Sequence, residues 1–179
     1  MTFTENLEKG KAGESAIARW LISRGNSVLP VYEKIIEETK GPQLFTGGEG
    51  LIAPDLLSIH KGKILWVEAK HKAAFTWYRN AKPKPCFETG IDLRNYNDYI
   101  NVAVATDVHV WLLFLHEGGQ AKDSPPSPSG LYGNDLMILA NNESHRSEKW
   151  GKHGMVYWTR EEDGGPLKLI ASLEEMKTT

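Results

Sequence analysis

The stretch that decides the fold is LIAPDLLSIHKGKILWVEAK, which spans residues 51–70. It contains two short apolar runs, Leu51–Ile59 and Lys63–Lys70, and such runs bounded by turn residues are typical of β-strands. Between the runs, Lys61 and Gly62 can form the two-residue loop of a tight hairpin, in which glycine readily takes positive φ. The sequence therefore predicts an antiparallel hairpin in which facing residues are equally far from the turn.

This register places two carboxylates side by side. Asp55 and Glu68 face each other, with Cβ atoms roughly 4.5–5.5 Å apart, and Lys70 points the same way as Glu68 because side chains alternate along a strand. Like charges directly opposite destabilise a sheet, and Mg²⁺, which takes one or two carboxylates together with water and phosphate, would relieve that repulsion. The pattern indicates a metal site beside an amine. The alternative is a solvated hairpin edge with ordinary surface charges.

The turn is the weak point of this register. Lys61 is a poorer turn residue than asparagine, because it must also take positive φ in the tightest hairpin turn. A slip of one residue would put Asp55 and Glu68 on opposite faces of the sheet.

The composition is that of one globular domain. The chain has 179 residues, of which 40% are hydrophobic and 25% charged, and this length can bury a real core. The lone cysteine, Cys86, excludes an internal disulfide framework and fits a reducing compartment, so we expect a cytoplasmic protein. No apolar run reaches about 18 residues, and the N-terminus lacks a basic segment followed by an apolar one. Membrane and secreted proteins are therefore disfavoured.

Positive charge is concentrated in one part of a chain whose formal net charge is −2. Between Lys61 and Lys84 there are seven lysines and arginines and a single acid, Glu68, which suits binding to phosphate backbones. Aromatic rings interleaved with these cations can stack on unpaired bases. A solubilising loop, with its rings packed into the core, is the alternative. The candidate nucleic-acid-binding residues are Lys72, Trp77, Arg79, Lys82 and Lys84.

A helix is predicted to begin within residues 4–10 and to end before Gly25, because apolar residues repeat at helical spacing up to Leu21. Glu14 borders the buried face of this helix. Two interpretations of Glu14 remain open: a first-turn glutamate favoured by the helix dipole, or a carboxylate that packing brings beside Asp55 and Glu68.

Simple patterns predict the remaining elements. Proline at position 30 favours an edge position for the strand that contains it, and the apolar run after residue 108 favours a buried strand. A basic segment around residues 145–153 either contacts a substrate or forms a solvated loop. The predicted elements are a strand at Ser27–Ile36, a turn-rich connection at Glu37–Gly50, a loop at His71–Thr89, a helix capped by Asp92 and ending near Ala105, a strand at His109–Leu115, a loop at Gly118–Gly130, a short helix at Leu131–Asn141, and a strand at Met155–Thr159 that returns to the same sheet.

The motif resembles that of a known family. Pro54-Asp55, followed after twelve residues by Glu68-Ala69-Lys70, is similar to the signature of the PD-(D/E)XK nuclease superfamily. The order of helix, strand, hairpin, helix and strand resembles its Holliday-junction-resolvase-like branch, in which a glutamate on the first helix joins the site. Over residues 10–115 the resemblance implies an α/β, restriction-endonuclease-like αβββαβ core with a mixed central sheet flanked by helices. Residues 131–179 would then be a C-terminal elaboration of one nuclease-like domain.

The resemblance also implies roles for individual residues. Asp55, Glu68 and the backbone carbonyl of Ala69 would hold Mg²⁺ or Mn²⁺, and Glu14 would act directly or through water. Lys70 would position or activate the attacking water. The second helix has no clear glutamine at a position that some relatives use; Asn95, Asn97 and Asp98 are the nearby polar residues.

We therefore expect a metal-dependent endonuclease that hydrolyses DNA phosphodiester bonds and is selective for branched or junction DNA. Resolving a junction takes two coordinated cuts and would require a homodimer. One alternative is a non-catalytic nucleic-acid-binding or interaction module on the same fold. The other is an RNA-processing nuclease, which would share the site and differ in substrate.

Overall fold

The structure, a computed structural model, describes residues 3–31, 42–47, 50–81, 83–120 and 123–178. Side chains of the first helix are described from residue 12 onward. Within the described residues, no helix combines the length and the apolar character needed to cross a membrane.

Four α-helices and twelve strands are found in the described residues. The helices are α1 (Phe3–Ser23), α2 (Leu93–Thr106), α3 (Leu136–Ala140) and α4 (Leu173–Lys177). The strands are β1 (Ser27–Pro30), β2 (Gln43–Phe45), β3 (Gly50–Ile52), β4 (Leu56–His60), β5 (Lys63–Lys72), β6 (Thr76–Tyr78), β7 (Cys86–Asp92), β8 (Val110–His116), β9 (Gly130–Asp135), β10 (His145–Ser147), β11 (Met155–Thr159) and β12 (Lys168–Ala171).

The central sheet has six strands in the order β1-β4-β5-β8-β9-β12. Strands β5 and β8 are parallel, whereas the other neighbours are antiparallel, so the sheet is mixed. Ile17 and Trp20 of α1 pack against Val67 on one face, and Tyr99 of α2 packs with Phe114 on the other. The predicted α/β fold with a mixed sheet between helices is confirmed, and α1, β1, β4, β5, α2 and β8 follow the αβββαβ order.

The hairpin of β4 and β5 has the predicted register. His60 pairs with Lys63, and the pairing continues to Leu56 and Val67. Lys61 and Gly62 both have positive φ, 49° and 78°, as a tight two-residue turn requires. Lysine therefore accepts the left-handed conformation here, and the register does not slip.

Helix α1 and the strand after it largely match the prediction. Gly25, with φ of 83°, follows the helix, and β1 is an edge strand, as Pro30 predicted. Strand β1 ends at Pro30, so it is shorter than the predicted strand Ser27–Ile36, although the backbone N–H of Val31 still donates to the Asp55 carbonyl at 2.8 Å. The rest of that prediction, residues 32–36, lies outside the described residues.

The first strand of the predicted hairpin is also shorter than expected. Strand β4 begins at Leu56, whereas residues 50–52 form β3, which pairs with β2 in a separate two-stranded sheet. The turn-rich connection Glu37–Gly50 therefore contains a strand, β2. Ala53, Pro54 and Asp55 lie between β3 and β4, and proline interrupts the run because it has no N–H to donate.

Helix α2 and strand β8 confirm two further predictions. The Asp92 side chain caps α2 by accepting a hydrogen bond of 2.9 Å from the backbone nitrogen of Arg94. Tyr96 and Tyr99 are buried on the inner face of α2. Strand β8 is shifted by one residue from the predicted His109–Leu115, and it pairs in parallel with β5.

A second sheet, with the order β10-β11-β7-β6, overturns the prediction of a loop at His71–Thr89. Strand β6 and the beginning of β7 lie within that segment, and Cys86 is buried in β7. Strand β7 pairs with β11, for example Gly90 with Tyr157, which lies far along the chain. Glycine within a strand lowers its intrinsic propensity, so local sequence carries little signal for this pairing.

Two predictions in the C-terminal part are wrong. The predicted helix Leu131–Asn141 is instead strand β9 followed by the short helix α3, and the Asp135 side chain marks the boundary by accepting from Met137 N at 2.8 Å. Strand β9 is buried along its whole length beside β8, yet four of its six residues are glycine, asparagine or aspartate, so its sequence lacks both the alternation and the β-branched residues that indicate a strand. Met155–Thr159 is a strand as predicted, but it belongs to the second sheet and not to the central one.

Candidate active site

The predicted pair of carboxylates lies at the end of the β4–β5 ladder. Glu68 is within β5 and only 1% exposed. Asp55 directly precedes β4, and because Leu56 pairs with Val67, Asp55 and Glu68 are the next residues to face each other. Oδ2 of Asp55 accepts a hydrogen bond of 3.1 Å from the amide nitrogen of Ala69. The structure thus brings Asp55 to the strand segment that carries Glu68.

Lys70 lies two residues beyond Glu68 and forms an ion pair with Oε1 of that carboxylate. Its side chain is 31% exposed, so it reaches from the buried acid towards solvent. Burial lowers the pKa of Lys70, but the negative charges of Glu68, Asp55 and Glu14 outweigh that effect and raise the pKa above its usual value. The predicted amine therefore faces both predicted carboxylates.

Glu68 is in an unfavourable environment for a carboxylate. Neither of its oxygens accepts a hydrogen bond of regular geometry from the described residues. Burial raises the pKa of Glu68 to about 7; the charge of Lys70 opposes this change, and the charge of Asp55 adds to it. A buried charge with unsatisfied lone pairs is costly, and such groups concentrate at functional sites.

Tyr99 of α2 is a neighbour of this site that the sequence did not identify. Its side chain is 2% exposed, and its hydroxyl lies close enough to Glu68 to lower the pKa of that acid. Burial and then the charge of Glu68 raise the pKa of Tyr99 well above its usual value, so the phenol remains neutral. Helical spacing placed Tyr99 on the inner face of α2, but it could not distinguish a core tyrosine from one that meets a carboxylate.

The polar residues of α2 that could have stood in for a glutamine are placed differently. Oδ2 of Asp98 accepts a hydrogen bond of 3.3 Å from the backbone nitrogen of Ile52, so Asp98 holds β3 against the helix. Asn97 is exposed and Asn95 is half-buried.

Glu14 is delivered by the close packing of α1 on β5. A Cβ atom at Gly13 would lie 2.3 Å from the Cβ of His71, so only glycine permits this approach. Glu14 is half-buried, and it lines a cleft of about 480 Å³ together with Val31 and Asp55. The cleft gives solvent a route to Asp55.

The donor set fits a hard divalent cation held by few protein ligands. Mg²⁺ commonly binds one or two carboxylates and completes its shell with water and substrate phosphate. Asp55 and Glu68 provide such a pair. Across the described ranges, no three His, Cys, Asp or Glu side chains form a metal-binding group.

The candidate nucleic-acid-binding residues are not equivalent. Arg79 and Lys84 are exposed, although Arg79 donates to the Asp123 carbonyl at 2.6 Å. Lys72 is half-buried, and burial, followed by the charge of Lys70, lowers its pKa. Trp77 is half-buried and packs against Phe87, with ring centroids 4.7 Å apart. This packing favours the alternative in which the ring belongs to the core. Lys82 lies outside the described residues.

We compared the chain with protein families, curated proteins and solved structures. No family model and no curated protein matches the sequence. Among solved structures, the chain is similar to Hjc from Archaeoglobus fulgidus, a Holliday junction resolvase from an archaeal hyperthermophile. The two are 10% identical with a TM-score of 0.44, over 82% of this chain and 86% of the other.

Proposed function

We propose that this protein is a metal-dependent endonuclease that hydrolyses phosphodiester bonds in DNA. The observation that supports the proposal is the convergence of Asp55, Glu68 and Lys70 at one end of a hairpin, where two carboxylates and an amine meet beside a solvent-filled cleft. Hydrolysis of a phosphodiester requires that the attacking water be oriented and that the charge developing on phosphate be stabilised.

Asp55 and Glu68 would hold Mg²⁺ or Mn²⁺, with the backbone carbonyl of Ala69 as a further ligand. Such an ion lowers the pKa of bound water and stabilises charge on a phosphoryl oxygen. The hydrogen bond from Ala69 N fixes the Asp55 carboxylate, so its position depends on the hairpin and not on a flexible side chain alone.

The remaining residues would orient the reacting groups. The Lys70 ammonium would contact a phosphate oxygen or the attacking water; its ion pair with the buried acid and its partial exposure support this role. Glu14, on the wall of the cleft, would accept a hydrogen bond from water. Tyr99, which is buried and close to Glu68, would support that carboxylate from the interior.

We further propose that the enzyme prefers branched or junction DNA, acts as a homodimer on junctions and works in the cytoplasm. Exposed Arg79 and Lys84 would contact phosphates, together with Lys72 and Lys82. Trp77 would assist by supporting the strand that precedes Arg79.

A cleavage assay with Mg²⁺ on duplex, single-stranded and four-way-junction DNA tests the proposal. Wild type should cleave at least one substrate, and Glu68→Ala should not. Glu88→Ala is a matched control, because Glu88 is an equally buried glutamate in the second sheet. Undiminished cleavage by Glu68→Ala would rule the assignment out.

The same panel separates the alternatives. A non-catalytic module would bind DNA in a salt-dependent way without Mg²⁺, cleave nothing, and keep its affinity in Asp55→Asn. An RNA-processing nuclease would leave all three DNA substrates intact and cut RNA of the same sequence, with the same loss in Glu68→Ala.

A further inference from the structure

The second sheet carries a cluster of four aromatic rings, Tyr78, His145, Trp150 and Tyr157, which we call the aromatic cluster. The His145 ring is stacked between Tyr78 and Tyr157, with centroid distances of 4.6 and 4.7 Å. Trp150 meets both His145 and Tyr157 edge-on, at 5.4 and 5.6 Å. Each ring is therefore held by its neighbours.

Trp150 differs from the other members because it stays accessible. Its side chain is 45% exposed, whereas Tyr157 is 9% exposed. An indole that is fixed on one side and open on the other offers a preformed stacking surface, and little conformational freedom is lost when a flat ring lands on it.

The loop that presents Trp150 is anchored at both ends. Gly151 and Gly154 have φ of 69° and 82°, which turn the chain tightly between β10 and β11. The Gly154 carbonyl accepts a hydrogen bond of 3.0 Å from Leu93 N at the start of α2. Trp150 thus sits on a loop whose course is set by the helix beside the candidate active site.

The centre of the cluster is a buried carboxyl group. Glu88 is 0% exposed, and neither of its oxygens accepts a hydrogen bond of regular geometry from the described residues. His145 Nδ1 lies 3.1 Å from Glu88 Oε2 without hydrogen-bond alignment. Glu88 is therefore a buried structural neighbour of the His145 ring, and the exposed face of the cluster lies elsewhere, at Trp150.

Cations surround the aromatic cluster. Lys149, Lys152 and His153 are exposed on the loop of Trp150, and Arg79 and Lys84 are exposed on the segment that follows Tyr78. The acid exposed on the same loop is Glu148. Positive charge next to a free aromatic face complements a single nucleic-acid strand, which offers phosphates and bases together.

We propose that the aromatic cluster binds an unpaired nucleotide of the substrate, with its base stacked on Trp150 and its phosphates contacted by Lys149 and Lys152. The inference rests on the proposed nuclease function and deepens it. It assigns the substrate class as DNA that contains unpaired nucleotides, such as a flap, a gap or an open branch. It also gives the second sheet, which lies outside the αβββαβ core, a role in choosing substrates.

Binding measured without a divalent metal tests the proposal independently of cleavage. Fluorescence anisotropy of a labelled single strand and of a blunt duplex, in EDTA, would compare wild type with Trp150→Ala and Trp150→Phe. Trp150→Ala should weaken binding of the single strand by at least about fivefold, as expected for one lost stacking contact, with a smaller change for the duplex. Trp150→Phe should retain most of the affinity, and circular dichroism would confirm that both variants are folded.

The lysines provide a second, matched test. Lys149→Ala/Lys152→Ala should reduce the slope of log affinity against log salt by about one to two, because two phosphate contacts are lost. Lys61→Ala/Lys63→Ala, at the hairpin turn of the central sheet, removes the same charge and should leave that slope closer to wild type. Equal single-strand affinity in wild type and Trp150→Ala, or equal losses on both DNA forms, would overturn the proposal. Loss of cleavage in Glu68→Ala would still stand, so the two proposals can fail separately.

Discussion

Glu68 and Glu88 are two buried glutamates in two different sheets, and comparing them shows which features set a candidate active site apart from a buried structural acid. Their exposed fractions are 1% and 0%, and neither receives a regular hydrogen bond from the described residues. Burial raises the pKa of Glu68 to about 7 and that of Glu88 to about 8. Burial and pKa alone therefore do not distinguish the two sites.

The neighbours distinguish them. Glu68 has an amine in ion-pair contact and a second carboxylate, Asp55, which directly precedes the adjacent strand; the raised pKa of Glu88 comes from burial alone. Beside Glu88 lies His145, whose Nδ1 is 3.1 Å from Oε2 and whose ring stacks between Tyr78 and Tyr157. Paired acids with an amine suit a cation and a phosphate, whereas a single acid under rings suits a neutral, structural carboxyl group.

The largest difference should appear in catalysis. Glu68→Gln removes a carboxylate to which we assign metal binding, so on that proposal cleavage of the best substrate should fall by about a thousandfold or more. Glu88→Gln should stay within about threefold of wild type, because Glu88 touches none of the reacting groups. Initial cleavage rates of both variants under identical Mg²⁺ would decide this point. Equal losses in the two variants would break the comparison.

Two glycines allow a further comparison of the two sites. Gly13 lets α1 pack closely on β5, which carries Glu68, and Gly90 lets β11 pack closely on β7, which carries Glu88. A Cβ at Gly13 would lie 2.3 Å from the Cβ of His71, and one at Gly90 would lie 2.2 Å from the Val156 carbonyl oxygen. Gly13→Ala and Gly90→Ala should each lower the free energy of unfolding by roughly 1–3 kcal/mol. Only Gly13→Ala should also slow cleavage, because it pushes α1 and Glu14 away from the site. Urea titrations and cleavage rates on the same preparations would show whether the effects separate in this way.

The pH dependence of stability should identify Glu88. Its folded pKa of about 8 lies above the usual value of 4.5, so the folded state holds a proton that the unfolded state has released. Stability from this group is complete at low pH and is lost as pH rises towards 8. Burial lowers the pKa of His145 from its usual value of 6.5. The contribution of His145 to the pH dependence of stability therefore falls below pH 6.5. Between pH 6.5 and 8, the free energy of unfolding should fall more steeply with pH in wild type than in Glu88→Gln. The difference between the two slopes should be at most about 1.4 kcal/mol per pH unit. Parallel curves for the two proteins would contradict the assignment.

The smallest effect concerns the turn that holds Asp55 opposite Glu68. Lys61 has φ of 49°, a conformation that asparagine tolerates better than lysine. Lys61→Asn should raise the free energy of unfolding by about 0.5 kcal/mol and leave cleavage unchanged, because the register is already the productive one. A lower midpoint of urea unfolding would show that the turn is not strained at this residue.

The sequence predicted those parts of the molecule that local patterns specify. The apolar runs around Lys61 and Gly62 predicted the hairpin and its register, and Asp92 with the spacing of Tyr96 and Tyr99 predicted α2. The register alone is enough to place Asp55 and Glu68 opposite each other. The site thus depends on a short-range feature, which explains why it could be predicted.

Long-range pairing could not be predicted in the same way. Strand β7 contains Glu88 and Gly90 and pairs with β6 on one side and with the distant β11 on the other, so its own sequence carries little strand signal. Strand β9 lies in a segment predicted as a helix, because glycine, asparagine and aspartate make up four of its six residues and disfavour a strand in the local sequence. The contact between Tyr99 and Glu68 depends on how α2 crosses the sheet, which no local pattern of the helix encodes.

Isothermal titration with Mn²⁺ tests the central claim most directly, because that claim is that Asp55 and Glu68 share one divalent ion. Wild type and Glu88→Gln should bind one Mn²⁺ per chain with similar affinity, whereas Asp55→Asn and Glu68→Gln should each lose that binding. If Glu68→Gln binds Mn²⁺ as wild type does, or if Glu88→Gln is the variant that loses it, the assignment of the metal site to the hairpin is wrong.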